Sequence, residues 1–289
     1  MDHRLVNGIL VLDKPAGTSS AAAVERVKRV LGASRAGHGG TLDPIATGVL
    51  AICLGEATKL AGYLLADDKA YEAEAILGVA TDTLDRTGVV TDTRDWQSIT
   101  RERIERAIAG RRGEHDQVPP MYSALKKGGV SLYKLARRGE TIEREPRRVR
   151  IDRLELIALE LPRIKLEIAC SKGTYIRSLV ADLGADLGCG AHLAELRRTK
   201  SGRFTIDQAQ HMDALDPSRI IGMADVLSLP IITVAEPLVK TILAGVQHPI
   251  EKLGVPASEQ FQLFDEANTL LAIAHAEDGR VIYDRVFAT

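Results

Sequence analysis

Residues 37–50 read Gly37-His38-Gly39-Gly40-Thr41-Leu42-Asp43-Pro44-Ile45-Ala46-Thr47-Gly48-Val49-Leu50. One carboxylate, Asp43, stands between Leu42 and Pro44, with Gly37, Gly39 and Gly40 before it and Gly48 after it. Glycine opens backbone conformations closed to other residues and lets a ligand approach the main chain. Pro44 fixes its own φ and biases Asp43 away from helix. The stretch reads as a loop that holds one acid in place, and the flanking sequence reads as its support.

Upstream, Asn7 to Leu12 is predicted as a strand closed by Asp13-Lys14-Pro15-Ala16-Gly17. Ser19 or Ser20 can cap a helix with Val24, Val27, Val30 and Leu31 on one face and Gly32 as its stop. Downstream, Val49 to Leu54 is a short apolar strand and Glu56 to Leu65 a helix. Lys69 to Leu77 alternates, with Tyr71, Ala73, Ala75 and Leu77 on the buried face. Thr81 to Asp95 is polar and loop-like, Thr100 caps a short helix from Arg101 to Ala109, and Gly113 to Gly129 reads as irregular. A basic helix from Ser131 ends at Gly139. Strands follow at Val149 to Leu159 and Arg163 to Cys170, with Cys170 facing inward. The next helix carries the core stripe Ile176, Leu179, Val180, Leu183 and Leu187, with Arg177 off the stripe. Leu193 to Phe204 is extended, with Arg197, Arg198, Lys200 and Arg203 along it. After Leu229-Pro230 a helix at Val234 to Ala244 and short strands at Phe261 to Phe264, Leu270 to His275 and Val281 to Phe287 mark a second unit. Mixed elements without regular βαβ alternation indicate an α+β fold. The expected units are 1–229 and 230–289.

The 289 residues are ample for two such units. Aromatics make up only 4%, so each tyrosine near the loop carries weight. Three cysteines without Cys-x-x-Cys spacing argue against a disulfide framework or a structural zinc site. The opening apolar run ends at Asp13, too short for a signal peptide, and no later run approaches about 18 apolar residues. A reducing cytoplasm and no membrane partner are expected. The net charge of −1 is unevenly distributed. Lys126 to Arg153 holds ten Lys/Arg against four Asp/Glu, whereas Phe204 to the end holds five against twelve. A basic middle on an acidic tail suggests a polyanion for the middle alone.

Several chemistries drop out. The loop has neither the Gly-x-x-x-x-Gly-Lys-Ser/Thr nor the Gly-x-Gly-x-x-Gly order that cradles phosphates. His38 and Asp43 are too few ligands for a metal, and no serine or cysteine sits in a nucleophile elbow. What remains is a lone aspartate, able to act as a covalent nucleophile or a general base. Either role needs a partner that keeps it ionised and aimed. The planar fork of Arg177, which follows the turn Lys172-Gly173-Thr174-Tyr175, is a candidate to grip it.

The motifs, taken together, resemble the TruB family of tRNA pseudouridine synthases. The likeness includes the Gly37–Gly48 stretch and the opening around Asp13-Lys14-Pro15. It continues through Lys69-Ala70-Tyr71 and Val118-Pro119-Pro120-Met121-Tyr122-Ser123-Ala124-Leu125-Lys126. It ends with Cys170-Ser171-Lys172-Gly173-Thr174-Tyr175-Ile176-Arg177 and with Gly190-Ala191-His192 through Leu196-Arg197-Arg198-Thr199, all in family order. The resemblance implies a pseudouridine synthase fold: a central mixed, largely antiparallel sheet flanked by helices and loops, an RNA-gripping insertion at about 113–150, and a small C-terminal PUA-like β-rich domain. It implies isomerisation of a T-loop uridine of tRNA. Asp43 would be the nucleophile or the base, Arg177 its partner, and Tyr71 a stacking face for the uracil. His38 would touch RNA beside the extruded base, and Tyr175 and Leu196 would complete the nucleotide pocket. No metal and no cofactor are implied, because the base is both leaving group and returning nucleophile. The expected partner is the T arm of tRNA, with no obligate protein partner and a monomeric enzyme. Gly39 stands where bacterial relatives often carry Thr, a modest change in such a loop. From Ile232 onward four Lys/Arg stand against eight Asp/Glu. This acidic tail favours the stand-alone bacterial branch over the relative guided by a box H/ACA RNA. A tRNA-binding folding chaperone without catalysis is the alternative from another class.

Overall fold

The computed structural model describes residues 6–123, 125–140, 142–254 and 260–287. Strand β1 (Gly8–Lys14) leads to helix α1 (Ser20–Leu31). Ser19 caps that helix by accepting from the Ala22 amide, and Gly32 stops it at φ 63°. Val24 and Val27 are buried as expected, but Val30 is 58% exposed, so the apolar stripe is narrower than the sequence suggests. Strands β2 (Ala36–His38) and β3 (Thr47–Leu54) bracket the Asp43 loop. Where one helix was expected, a 3-10 turn (Gly55–Leu60) runs into helix α2 (Ala61–Leu65). Strand β4 (Lys69–Leu77) follows, with Tyr71, Ala73, Ala75 and Leu77 all buried.

Two stretches expected to be irregular carry strands. The polar segment after β4 folds as a hairpin of β5 (Val79–Thr81) and β6 (Val90–Thr93). After helix α3 (Arg101–Gly110), capped by Thr100, Gly113–Gln117 forms edge strand β7. Its sequence, Gly-Glu-His-Asp-Gln, has no apolar alternation because backbone pairing to a neighbour, not burial, holds it there. The insertion then carries a short hairpin, β8 (Lys126–Lys127) and β9 (Val130–Ser131), and helix α4 (Leu132–Ala136). Strands β10 (Arg147–Glu160) and β11 (Arg163–Cys170), helix α5 (Ile176–Leu187) and strands β12 (Ala191–Ser201), β13 (Phe204–Thr205) and β14 (Gln210–His211) follow. The remainder comprises β15 (Ile231–Thr233), α6 (Glu236–Leu243), α7 (Ile250–Leu253), β16 (Phe261–Phe264), β17 (Leu270–Glu277) and β18 (Arg280–Val286).

The main sheet runs β14-β1-β3-β12-β4-β11-β10-β7, with β2 also on β3 and β13 on β12. Pairing is antiparallel except β1–β14 and β3–β12, the mixed and largely antiparallel sheet expected. Strand β12 lies between β3 and β4, setting Arg198 opposite Gly48 on one side and Tyr71 on the other. Leu166, Ile168, Leu179, Val180 and Leu183 belong to the apolar core between β4, β11 and α5.

The C-terminal sheet runs β15-β16-β17-β18. Part of its apolar surface forms a core of its own around Ile242, Phe261 and Leu263. Phe264, Leu270, Ile273 and Phe287 instead join Ile9, Val11, Val49, Leu60 and Leu64 in one buried cluster. Leu64 in turn abuts the Asp43 loop: a Cβ on Gly39 would come 2.6 Å from the Leu64 Cβ. The glycine at position 39 is therefore a packing requirement here rather than a tolerated change.

Gly48 is the tightest point of the sheet. Its φ is 101°, and a Cβ there would lie 2.2 Å from the Arg198 carbonyl oxygen. Gly48→Ala is expected to destabilise the chain by upwards of about 2 kcal/mol, through strain and steric conflict together. Urea denaturation reads this as a lower midpoint; an unchanged midpoint would refute the close approach of β3 and β12.

Candidate active site

A cleft of about 500 Å³ opens where the Asp43 loop, β4, the turn before α5 and the base of the insertion meet. Asp43, Tyr71, Ser123, Tyr175, Leu196 and Arg198 are among its lining residues. The Asp43 loop is pinned by α1. Because Ser19 does the capping, Ser20 is free to bond Leu42 on both sides: the Leu42 amide donates to Ser20 Oγ at 2.8 Å, and Oγ donates to the Leu42 carbonyl at 2.9 Å. The Gly17 amide donates to the Pro44 carbonyl at 2.8 Å.

Arg177 and Asp43 meet, although the contact differs from a two-pronged grip. Arg177 Nε donates to Asp43 Oδ2 at 2.7 Å. Its Nη1 donates to the Thr83 carbonyl at 3.1 Å and its Nη2 to the Tyr122 carbonyl at 2.7 Å. A single guanidinium thus joins the carboxylate, the β5–β6 hairpin and the base of the insertion. The Arg177 side chain is 4% exposed against 32% for Asp43, so the arginine lies behind and the carboxylate faces the cleft. The helix stripe of α5 did not place Arg177 inside, because its burial comes from these polar contacts.

Asp85 was not singled out by the sequence. It is buried, and its Oδ2 lies 3.8 Å from Arg177 Nη1. Its Oδ1 accepts from Thr83 Oγ1, the Thr87 amide and Thr87 Oγ1. The threonines around it were the available signal, hidden in a stretch without periodicity. Arg198, read only as one charge along an extended segment, is 2% exposed. Its guanidinium donates to the carbonyls of Val49, Thr41 and Gly40, tying both ends of the loop to β12. Strand alternation from Ala194 through Leu196 already puts Arg198 on the inward face.

Tyr71 and Leu196 sit on the cleft wall, both largely buried. Burial pushes the Tyr71 phenol up to about 12, with the Arg198 guanidinium pulling the other way, so the hydroxyl is a proton donor at neutral pH. Burial also raises the Tyr175 phenol. Gln117 clamps the Tyr175 backbone: its Nε2 donates to the Tyr175 carbonyl at 3.1 Å, and its Oε1 accepts from the Tyr175 amide at 2.8 Å. His38, on β2, is not among the lining residues. Its Nδ1 accepts from the Gly40 amide at 3.3 Å, and burial, reinforced by Arg198, favours the neutral ring. Lys14 is fully buried, with Nζ donating to the carbonyls of Pro15 and Thr18 at 2.8 Å. Burial lowers its pKa to about 8, partly opposed by Asp43.

Residues 28–176 match the family model for the TruB family pseudouridylate synthase N-terminal domain. The chain belongs to the TruB family. Residues 177–224 match the tRNA pseudouridylate synthase B C-terminal domain. The two TruB models meet at Arg177, inside a continuous core. A tRNA pseudouridine synthase B of Stutzerimonas stutzeri (strain A1501) is 51% identical over 85% of this chain and 78% of its own length. That of Pseudomonas syringae pv. syringae (strain B728a) is 45% identical over 96% of this chain and 95% of its own. Among solved structures, a Cbf5-Nop10-Gar1 complex is similar at TM-score 0.74 and 25% identity, covering 98% of this chain and 85% of that one. The archaeal box H/ACA sRNP Nop10-Cbf5 complex shares the fold at TM-score 0.73 and 24% identity, covering 98% and 87%. Among the described residues of this TruB chain, no helix is long and apolar enough to cross a membrane.

Two outcomes follow from the geometry. Arg177→Lys keeps a charge but cannot serve Asp43 and two carbonyls from one nitrogen in the same places. A loss of about 2–3 kcal/mol is expected in urea unfolding; wild-type stability would mean the carbonyl contacts contribute nothing. Lys14 has its pKa lowered on folding, so between pH 8 and the unfolded value of 10.5 the unfolded chain binds more protons and stability rises with pH. Relative to Lys14→Met, the wild type should gain stability across that window. A pH-independent difference would contradict the assigned burial penalty.

Proposed function

We propose that this chain is a tRNA pseudouridine synthase acting on a uridine of the T loop. The observation that carries this reading is Asp43, backed by buried Arg177, in a cleft walled by Tyr71, in a chain similar to tRNA pseudouridine synthase B proteins over 78% and 95% of their lengths. A uracil stacked inside a folded RNA loop is out of reach, so the nucleotide is flipped into the cleft. The glycosidic bond to C1′ breaks, the base rotates, and a bond forms between C1′ and C5. Asp43 starts this as nucleophile or base, and the Arg177 contact at Oδ2 aims it so that its exposed side meets the nucleotide. Tyr71 stacks on the uracil and presents a protonated hydroxyl for proton movement at C5. Tyr175 and Leu196 close the pocket, and His38, as a neutral ring behind the loop, contacts RNA beside the flipped base.

In this reading residues 1–229 form the catalytic unit with its insertion at about 113–150, and 230–289 form a PUA-like module. The enzyme acts as a monomer in the cytoplasm, without a guide RNA or an obligate protein partner. Identity of 45–51% to the synthase B relatives, against 25% to the Cbf5 complex, supports the unguided branch.

The test incubates purified protein with unmodified tRNA transcript and assays pseudouridine in the T loop. Wild type should convert the uridine with no other macromolecule present. Asp43→Ala should bind tRNA with near-wild-type affinity and form no product. Turnover by that variant would remove Asp43 from the chemistry, and failure of the wild type without a guide would sink the stand-alone assignment.

A further inference from the structure

We infer that Lys69 is a further catalytic residue of the cleft: its ammonium, set beside Arg198, stabilises the negative charge that the reaction moves onto the detached uracil. The inference rests on the reading of the cleft as a uridine site, and it assigns the group that meets the leaving base.

In this reaction the charge travels. When the bond between N1 and C1′ breaks, its electron pair stays on N1. The ring becomes a uracilate whose charge spreads to its carbonyl oxygens. As nucleophile, Asp43 bonds to C1′; as base, it takes a proton from C2′. In either role the carboxylate loses its negative charge as the ring gains one. When C5 bonds to C1′ the charge returns to Asp43, by release from C1′ or by return of the proton to C2′, and the C5 proton passes to N1. Arg177 lies behind Asp43 and so faces the charge at the start and at the end. The interval between calls for a cation at the ring, where a preorganised charge acts on the transition state more than on the neutral ground state.

Among the described residues lining the cleft, the cations are Lys69 and Arg198, against Asp43 as the acid. Lys69 and Tyr71 share the inward face of β4, and β12 sets Arg198 opposite Tyr71. Arg198 also donates to the Tyr71 hydroxyl, so both cations flank the ring assigned to stack on the base. They converge at Gly40. The Cβ that this glycine lacks would lie 3.8 Å from Arg198 Nη1 and 3.9 Å from Lys69 Cε. Gly40 therefore lays no side chain over the pair.

Arg198 is committed to the Val49, Thr41 and Gly40 carbonyls, which leaves Lys69 as the group that reaches the ring. Lys69 Nζ donates to the Leu65 carbonyl at 3.1 Å and to the Asp67 carbonyl. An ammonium has three donors, so one remains for a ring oxygen. Asp67 and Asp68 offset part of its charge, although Asp68 is itself paired with Arg150. Burial, reinforced by Arg198, lowers the Lys69 pKa. A cation so short of solvation gains more from an arriving anion than it would in water.

The experiment uses the full chain and a T-arm stem-loop carrying either uridine or 5-fluorouridine at the target position. Fluorine makes the uracil more acidic and a better leaving group, so a missing cation matters less. Loss of the target nucleoside is followed under single turnover, and dissociation constants are measured on the product RNA. Lys69→Met should slow conversion of uridine about 100-fold and of 5-fluorouridine only about tenfold, with the dissociation constant within about twofold of wild type. Lys69→Arg, which keeps the charge, should recover most of the lost rate. Lys69→Gln keeps a donor for the Leu65 and Asp67 carbonyls and should reproduce the Lys69→Met pattern, which covers the case in which the methionine variant does not fold. Equal slowing on both RNAs, or a loss confined to binding, would mean that Lys69 only supports the fold and overturns its catalytic role. Wild type that converts neither RNA would overturn the proposed activity itself, whereas wild-type turnover without the difference between the two RNAs removes Lys69 alone.

Discussion

Arg177 is a buried cation whose burial is tolerable only because four groups surround it. Removing a guanidinium from water is costly unless every donor finds an acceptor and a carboxylate balances the charge. Here Asp43 and Asp85 supply the charge, and the carbonyls of Thr83 and Tyr122 accept from Nη1 and Nη2. These acceptors come from three segments distant in the chain: the glycine loop, the turn of the β5–β6 hairpin, and the base of the insertion. Folding cannot leave any of them out of place without stranding the charge, so the interaction that readies Asp43 also aligns the cleft walls.

Arg198 plays the matching part beneath the loop. Its donors reach Gly40 and Thr41 before Asp43 and Val49 after it, from a strand that also flanks Tyr71. The loop is thus spanned from below by one arginine and held from behind by another. Ser20 fixes the third side through Leu42. Glycines 39 and 48 are where neighbouring elements, Leu64 and the β12 backbone, come too close for a side chain.

Local periodicity made much of this legible. The alternation of Lys69 to Leu77 and the stripe of α5 were visible because burial on one face leaves a pattern. Asp43 stood out because its loop is chemically unusual, and Arg177 because it follows the turn before α5. Edge strand β7 and the β5–β6 hairpin were not visible, since their polar residues are held by backbone pairing that leaves no mark in side-chain hydrophobicity. Asp85 and Gln117 were missed for a related reason. Each matters through a partner far away in sequence, and a lone polar residue in an aperiodic stretch does not announce that partner. The fork of Arg177 could be read as an Asp43 grip, but its division among three acceptors depends on which carbonyls the fold leaves unpaired.

The C-terminal sheet contributes Phe264, Leu270, Ile273 and Phe287 to the core beneath β1 and β3. Its other residues pack a separate core around Ile242, Phe261 and Leu263. Loosening the shared cluster would be transmitted through Leu64 to the backbone at Gly39. In such an arrangement the C-terminal sheet acts as a keel: folded about its own core, it sets from a distance how firmly the catalytic loop is seated.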